Sequence, residues 1–339
     1  MQAVPVNSTL GTLIFMLGGA AGAVFYLPLQ RVKDWGWESS WLVYSIGGLL
    51  VVPWFLAWAT SPNLGAVLRS APSSEIAYCL ICGALWGFGG LTWGLMIRYL
   101  GVGLGLAMGA GLTSAAGTLI PPMLHGPAAI VRMFTTPAGM VSVVASVVSL
   151  AGIVFAGFAG WSKERELPDQ EKKKVVAEFN FRKGTALAIF SGLMSSAMSF
   201  GLQGGQETQR LALSIAPVTP AVWDGMPVLV VVLSGGFVVN GGWCILLNWR
   251  NRTARNYFDS RTPLAGNVLF SALAGVIWCS QFVCFKTAEP RMGATSYIGW
   301  AVLMASQILF SQLLGLALGE WRGTSGKTMR LLMPAWGFC

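Results

Sequence analysis

Nine apolar segments, each about twenty residues long, alternate with polar connections along the 339-residue chain. A helix rises about 1.5 Å per residue, so roughly 20 apolar residues cross the 30 Å hydrocarbon core of a bilayer. The sequence therefore predicts membrane-spanning helices. The predicted spans are 9–30, 41–60, 76–97, 100–124, 138–161, 184–203, 225–248, 264–286 and 295–319. A tenth apolar stretch, 331–339, is too short to cross a bilayer, so we expect a truncated last helix.

Composition excludes an ordinary soluble domain. Charged residues make up 10% of the chain and hydrophobic residues 54%, whereas a soluble domain is about 25% charged. The net charge of +9 could indicate nucleic-acid binding, but the basic residues are scattered and form no patch with exposed aromatic residues. We expect the lipid bilayer as a partner and no nucleic acid.

The distribution of Lys and Arg predicts the orientation. Connections after the odd-numbered spans carry 17 of these residues and the remaining connections carry 5, and the basic side of a membrane protein faces the cytoplasm. The N-terminus is therefore predicted to lie outside. The charged connector 162–183, SKERELPDQEKKKVVAEFNFRK, is predicted to lie inside.

The position of this connector predicts a repeat. Five spans precede it, so a second set of five would begin on the opposite face, as in the inverted repeats of many transporters. We predict an all-α polytopic membrane protein with about ten transmembrane helices in two inverted five-helix halves. The boundaries are 1–161 for the first half, 162–183 for the cytoplasmic connector and 184–339 for the second half with its incomplete tenth helix.

The stretch FYLPLQRVKDWGWESSW, residues 25–41, is typical of a helix leaving a bilayer. Pro28 cannot continue an undistorted helix, and basic residues follow it. Trp35, Trp37 and Trp41 are predicted to lie at headgroup depth, because tryptophan is enriched at membrane interfaces.

Motifs for enzyme chemistry are missing. The chain has one histidine, His125, no GxSxG sequence and no acidic pair at helical spacing within a span, so triads and metalloprotease sites are not indicated. Cys79 and Cys82 have a metal-ligand spacing, but no second pair or histidine lies nearby in the sequence. We expect a protein that is not an enzyme, with no metal and no cofactor.

Polar residues within spans are energetically expensive and tend to be functional. Amides hydrogen-bond hydroxyl groups, and aromatic rings pack against the C–H face of a sugar, so this combination suits a neutral polyhydroxy ligand. For each residue, bonding between helices or contact with lipid is an alternative. The candidate binding residues are the amides Gln203, Asn240 and Gln281 and the aromatic residues Trp86, Trp93, Trp278, Tyr297 and Trp300.

Coupling to protons requires a titratable group. Glu38, Asp224 and Glu320 lie at span borders, and no acidic residue is clearly at mid-membrane. A proton that moves down 100 mV releases about 2.3 kcal/mol, which is enough to concentrate a neutral solute. Glu38 and Asp224 are the candidate coupling residues.

Seven stretches spread over residues 25–321 carry a family resemblance: FYLPLQRVKDWGWESSW, GALWGFGGLTWGLMIRYLG, GTLIPPMLHG, GLMSSAMSFGLQ, GVIWCSQF, SYIGW and LGLALGEW. On these stretches the chain resembles the bacterial L-rhamnose–proton symporter family of the drug/metabolite transporter superfamily. The resemblance implies ten helices in two inverted halves, and uptake of a 6-deoxyhexose with a proton across the bacterial inner membrane. It adds Tyr26 to the binding candidates and supports Glu38, whereas Asp224 has no obvious counterpart and Gln203 stands where the family has an asparagine.

The resulting hypothesis is a proton-coupled carrier for L-rhamnose or a related deoxy sugar, working by alternating access. One alternative is a drug or metabolite exporter of the same superfamily. Another is a membrane sensor or scaffold that does not transport.

Overall fold

The computed structural model describes residues 4–124, 126–167, 176 and 178–337. Throughout these residues the chain is helical, with turns and no strand. A helix satisfies its backbone polar groups internally, which hydrocarbon requires. The helices are α1 Ser8–Val24, α2 Trp37–Ser45, α3 Val52–Thr60, α4 Leu64–Ser70, α5 Ser73–Leu100, α6 Val102–Leu124, α7 Pro127–Thr135, α8 Pro137–Glu166, α9 Phe181–Ser195, α10 Ala197–Gly204, α11 Gln206–Ser214, α12 Met226–Arg250, α13 Leu264–Ala288, α14 Gly299–Ala317 and α15 Gly326–Gly337.

Eight helical stretches of the described chain are long and apolar enough to cross a membrane: Ser8–Arg31, Trp37–Thr60, Ser73–Leu100, Val102–Ile120, Phe181–Ser214, Ala221–Arg250, Leu264–Arg291 and Gly299–Ala317. Each overlaps one of the predicted spans. The remaining predicted span, 138–161, lies within α8, which has 30 residues and therefore a length of about 45 Å. A multi-pass membrane protein is confirmed at this level.

Several spans are interrupted rather than straight. A 3₁₀ turn, Pro28–Arg31, follows α1, and a π-helical segment, Ile46–Val51, joins α2 to α3. Ser196 and Gly205 separate α9, α10 and α11. Such interruptions are frequent at functional sites, and here they adjoin the centre of the bundle.

Helices from the two ends of the sequence pack together. α5 contacts α9, α10 and α12, while α13 contacts α1, α2 and the π-helical segment. α14 lies against α1 and α6, and α15 packs on α8.

Two glycines illustrate how closely these helices approach. A Cβ atom on Gly83 of α5 would lie 1.9 Å from the carbonyl oxygen of Val232, and one on Gly275 of α13 would lie 2.4 Å from that of Tyr44. Small residues that let helix backbones approach in this way are typical of membrane bundles.

The outer surface of the bundle is apolar. Large side chains such as Phe55, Trp58, Val238 and Leu269 are more than 60% exposed. A soluble protein would not present so many of them, but a bilayer solvates them. The interior holds the aromatic and polar side chains that build the site.

Candidate functional site

A cavity at the centre of the bundle, called here the central cavity, is lined by sixteen described residues. Eight are aromatic: Phe25, Trp41, Tyr44, Trp86, Trp93, Trp278, Phe282 and Trp300. Five are polar and uncharged: Thr113, Ser195, Asn240, Gln281 and Gln307. Gly90, Met198 and Met304 complete the wall. The volume of this cavity that the centres of water molecules can occupy is about 40 Å³, enough for roughly three waters.

Two tryptophans from opposite halves of the sequence form the aromatic wall. The rings of Trp86 and Trp278 stack with centroids 4.8 Å apart and planes 26° apart. Phe282 lies 4.8 Å from the Trp278 ring and Tyr44 lies 6.2 Å from it. Because these distances are those of favourable aromatic contacts, the wall is held in place by its own rings.

Asn240 supports this wall from α12. Its Oδ1 accepts a hydrogen bond from Trp41 Nε1 at 3.0 Å, and its Nδ2 donates to the carbonyl oxygens of Gly87 and Gly236, both at 3.1 Å. Both amide donors are thereby used within the protein. Asn240 thus positions α2, α5 and α12 around the cavity.

Three other polar groups of the cavity lack such partners. Among the residues that the structure describes, no hydrogen bond reaches Gln281 Oε1, Ser195 Oγ or Trp300 Nε1, although all three atoms are buried. Buried polar atoms in proteins are nearly always paired. The cavity therefore offers an acceptor, a hydroxyl and a donor to a polar ligand.

Gln307 contributes from α14. Its Nε2 donates to the carbonyl oxygen of Gly22 on α1 at 3.0 Å. A Cβ atom on Gly22 would lie 1.9 Å from Gln281 Oε1, so the two glutamines meet at the same place on α1. The absence of a side chain at Gly22 lets both amides reach the cavity.

Comparison with known proteins decides the family. Residues 5–335 match the profile of the L-rhamnose-proton symport protein (RhaT) family. The chain belongs to the RhaT family. It is 32% identical over 323 residues to the L-rhamnose-proton symporter of Cronobacter sakazakii, which covers 94% of this chain and 91% of that protein. It is 31% identical over 330 residues to the symporter of the same name from Yersinia pestis, which covers 95% and 92%. As a RhaT family member, it is a transporter rather than an enzyme.

In this RhaT family member, six of the predicted binding residues lie together in the central cavity: Trp86, Trp93, Asn240, Trp278, Gln281 and Trp300. Tyr26 lies behind the cavity wall, edge-on to Phe25 with centroids 6.1 Å apart. Gln203 lines a different cavity. The side chain of Tyr297 lies outside the part of the chain that the structure describes.

Sequence reasoning missed ten lining residues: Phe25, Trp41, Tyr44, Gly90, Thr113, Ser195, Met198, Phe282, Met304 and Gln307. Gln307 could have been found, because it is an amide within a span like Gln281. The headgroup depth of Trp41 stays a prediction, but its side chain faces the interior of the bundle and lines the central cavity. Trp41 is 2% exposed, and its ring stacks on that of Trp37 with centroids 5.1 Å apart. It can be buried because its indole N–H donates a hydrogen bond to Asn240.

The second cavity is lined by Leu202, Gln203, Gln206, Gln209, Phe285, Lys286, Glu289, Ser296 and Trp300. It has about 210 Å³ for centres of water molecules and so is larger than the central cavity. Trp300 belongs to both walls. The second cavity lies near the start of α1. There the backbone amide of Asn7 donates a hydrogen bond to the carbonyl oxygen of Arg291 at 2.9 Å.

The two predicted coupling residues lie at separate places. Glu38, in the first turn of α2, accepts from Asn251 Nδ2 at 3.0 Å and Thr253 Oγ1 at 2.7 Å. Neighbouring Ser39 donates to Asn248 Oδ1 at 2.8 Å. Within the described chain no Lys or Arg forms an ion pair with Glu38, so its carboxylate is held by uncharged donors.

Asp224 lies beside a buried lysine. It precedes Gly225, where a Cβ atom would be 2.6 Å from Cδ of Lys286. Lys286 is 1% exposed, and its Nζ donates to Glu289 Oε2 at 2.8 Å and to the Leu202 carbonyl oxygen at 3.2 Å. Asp224 lines neither cavity, but its neighbour Lys286 lines the second one.

Proposed function

We propose that this chain carries L-rhamnose, or a closely related deoxy sugar, into the cell together with a proton. The central cavity carries the proposal, because stacked tryptophans and unpaired buried polar atoms line the same small space. Family membership and the names of the relatives from Cronobacter sakazakii and Yersinia pestis support the same substrate.

The chemistry of the wall selects a neutral ligand. None of the described residues that line the central cavity carries a charge, and an unpaired ion would be strongly disfavoured there. When the cavity widens during the transport cycle, a sugar can place its C–H face on one ring of the stacked Trp86–Trp278 pair. Its hydroxyl groups can bond to Gln281, Ser195 and Trp300, which satisfies atoms that the protein leaves unpaired.

Two structural halves related by inversion would give this cavity alternating access. Helix packing supports this organisation: α5 contacts α12 and α9, as α13 contacts α2 and α1, and α1 meets α14 as α9 meets α6. When the helix in each span is replaced by the helix five spans away in the sequence, each of these contacts becomes its counterpart in the other half. The proposed halves are 1–161 and 184–339, joined by the connector 162–183, with about ten spans in total.

Local features agree with this exchange. Trp86 is followed fifteen residues later by Gly101, and Trp278 by Gly293 at the same spacing. Both glycines have positive φ, 87° and 55°. Gly101 follows the last residue of α5, and Gly293 begins the 3₁₀ segment Gly293–Ile298 after α13, so each tryptophan precedes a change of backbone direction at the same spacing.

We further propose the bacterial inner membrane as the location, with the connector on the cytoplasmic side. The excess of Lys and Arg in the connections on that side supports this orientation. Protons serve as the coupling ion, with Glu38 and Asp224 as the candidate carriers, and no cofactor is proposed.

The decisive experiment is uptake of tritiated L-rhamnose by proteoliposomes that contain the purified protein. A proton gradient, acidic outside, should drive accumulation, and a protonophore should abolish it. A panel of unlabelled hexoses and deoxyhexoses should compete in the order of their resemblance to L-rhamnose. Sugar entry that is independent of the proton gradient would refute coupling.

The alternatives give different outcomes. An exporter would show loss of a metabolite or increased drug resistance on expression, without sugar uptake. A sensor would bind L-rhamnose without flux. The uncharged wall of the central cavity favours a sugar over a charged drug or metabolite, and membership of a symport family favours transport over sensing.

A further inference from the structure

The second cavity has the composition of a sugar site. Its wall contains three glutamines and a serine, Gln203, Gln206, Gln209 and Ser296, together with the ring of Trp300. The volume that the centres of water molecules can occupy is about 210 Å³ in the second cavity and about 40 Å³ in the central cavity, so the second cavity is the larger. In this conformation the second cavity is the one that has space for a pyranose ring.

The three glutamines are free to bind a ligand. They recur every third residue, and Gln206 and Gln209 share one face of α11, since residues three apart are neighbours on a helix. No hydrogen bond joins the side chain of Gln203, Gln206 or Gln209 to another described residue. Each amide can therefore donate to and accept from sugar hydroxyl groups.

The helix that presents Gln206 and Gln209 is held in place. The carboxylate of Glu75 on α5 accepts from the backbone amides of Glu207 and Thr208 at 3.1 and 2.8 Å, and from Thr208 Oγ1 at 2.5 Å. This caps the first turn of α11, where orphan amides and the helix dipole favour a negative group. The backbone that carries Gln206 and Gln209 is thus fixed before any ligand arrives, while their side chains stay at least partly exposed to water that a sugar can replace.

The two charged side chains of the cavity wall pair with each other, with the Asp224 carboxylate close by. Lys286 and Glu289 form an ion pair, with Nζ and Oε2 2.8 Å apart. Two of the three ammonium donors go to Glu289 and Leu202, which leaves one donor. A neutral polyhydroxy ligand can use this donor without introducing an uncompensated charge.

Trp300 connects the two cavities. Its ring lines both of them and packs edge-on against Phe285, with centroids 5.6 Å apart. We infer that the second cavity is a second binding site for the transported sugar, occupied before the sugar passes Trp300 into the central cavity. This inference rests on the proposed function. In the proposed orientation, with the connector on the cytoplasmic side, the second cavity lies on the outer side.

Binding stoichiometry tests the inference. Equilibrium binding of tritiated L-rhamnose to the purified full-length protein should show two sugar molecules per chain. The double variant Gln206→Leu, Gln209→Leu should bind one and should raise the KM of uptake about tenfold, as expected for two lost neutral hydrogen bonds. Gln30→Leu is the matched control, because Gln30 is an exposed glutamine that lines neither cavity.

Protection from labelling gives a readout that does not depend on transport. Gln206→Cys should react with a membrane-impermeant thiol reagent added from outside, and L-rhamnose should slow this reaction. The protection should persist in a Gln281→Ala background, where the central site is impaired. The chain's own described cysteines are mostly buried, and the parent protein measures their background.

The outcomes separate the two proposals. One sugar per chain with normal uptake, or labelling that sugar does not slow, overturns the second site and leaves the transport function standing. Absence of both binding and uptake of L-rhamnose overturns the proposed function itself. A double variant that inserts normally and keeps the wild-type KM also overturns the second site.

Discussion

Trp86 of α5 stacks on Trp278 of α13 at the centre of the bundle, with ring centroids 4.8 Å apart. These two rings join the first and second halves of the sequence across the cavity that we assign to the sugar. We expect Trp278→Ala to raise the KM for L-rhamnose about tenfold, because stacking and buried area are lost together. Trp278→Phe should restore much of the affinity. Trp58→Ala is the control, since Trp58 is 72% exposed on the outer surface; an equal defect in that variant would contradict the assignment.

Gln281 is predicted to act on the ligand rather than on the fold. Its Oε1 has no partner among the described residues, so Gln281→Ala removes a bond to sugar and no bond that holds helices. Uptake should need about threefold more L-rhamnose, the equivalent of one neutral hydrogen bond of about 0.7 kcal/mol. Membrane insertion and thermal stability in detergent should stay near wild type. Unchanged transport kinetics would remove Gln281 from the site.

Asn240 should behave in the opposite way. Asn240→Ala leaves Trp41 Nε1 without its acceptor, and an unpaired buried group costs about 1–3 kcal/mol. We expect a clearly lower melting temperature in detergent, followed through tryptophan fluorescence. A variant as stable as Gln281→Ala, but unable to bind sugar, would instead make Asn240 a ligand-binding residue.

Proton coupling can be assigned with two neutral substitutions. Glu38→Gln keeps an acceptor for Asn251 and Thr253 but cannot take up a proton, so uptake should lose most of its dependence on external pH. Asp224→Asn should retain the wild-type pH profile. The reverse pattern would move the coupling role to Asp224 beside Lys286.

Glu320 should make stability depend on pH. It accepts from the backbone amides of Val102 and Gly103 at 2.6 and 2.9 Å, beyond the end of α14. Burial nevertheless raises the pKa of Glu320 above its ordinary value of 4.5, against the opposing effect of these amides and of Lys163.

The raised pKa means that the folded protein holds this proton more tightly than the unfolded chain. The stabilisation is therefore complete below pH 4.5 and is lost as pH rises through the folded-state pKa. Melting temperature in detergent, measured across this range, should fall with pH in the wild type. The decline should be smaller in Glu320→Gln, and an identical decline would show that another group titrates.

The sequence was a good guide to the spans because hydrocarbon thickness sets a length that apolar runs display directly. It was a poorer guide to which face of each span points inward. The residue type of Trp41 does not distinguish a tryptophan at the membrane interface from one inside the bundle. Its acceptor, the side chain of Asn240, lies nearly two hundred residues away in the sequence. Gln203 is an amide within a span like Gln281, but the break at Gly205 places it in the second cavity. Depth along a helix and direction around it depend on packing partners that no local pattern contains.

The hydrogen bond from Trp41 to Asn240 joins α2 to α12, and these helices belong to different halves of the chain. If the halves move apart to expose the sugar on the other side of the membrane, this hydrogen bond must break once per transport cycle. An uncharged bond contributes only about 1 kcal/mol, so thermal motion can break and remake it rapidly, whereas a buried ion pair here would leave a costly unpaired charge each time. An uncharged hydrogen bond between the halves therefore stabilises the closed conformation and still lets the protein change conformation quickly between turnovers.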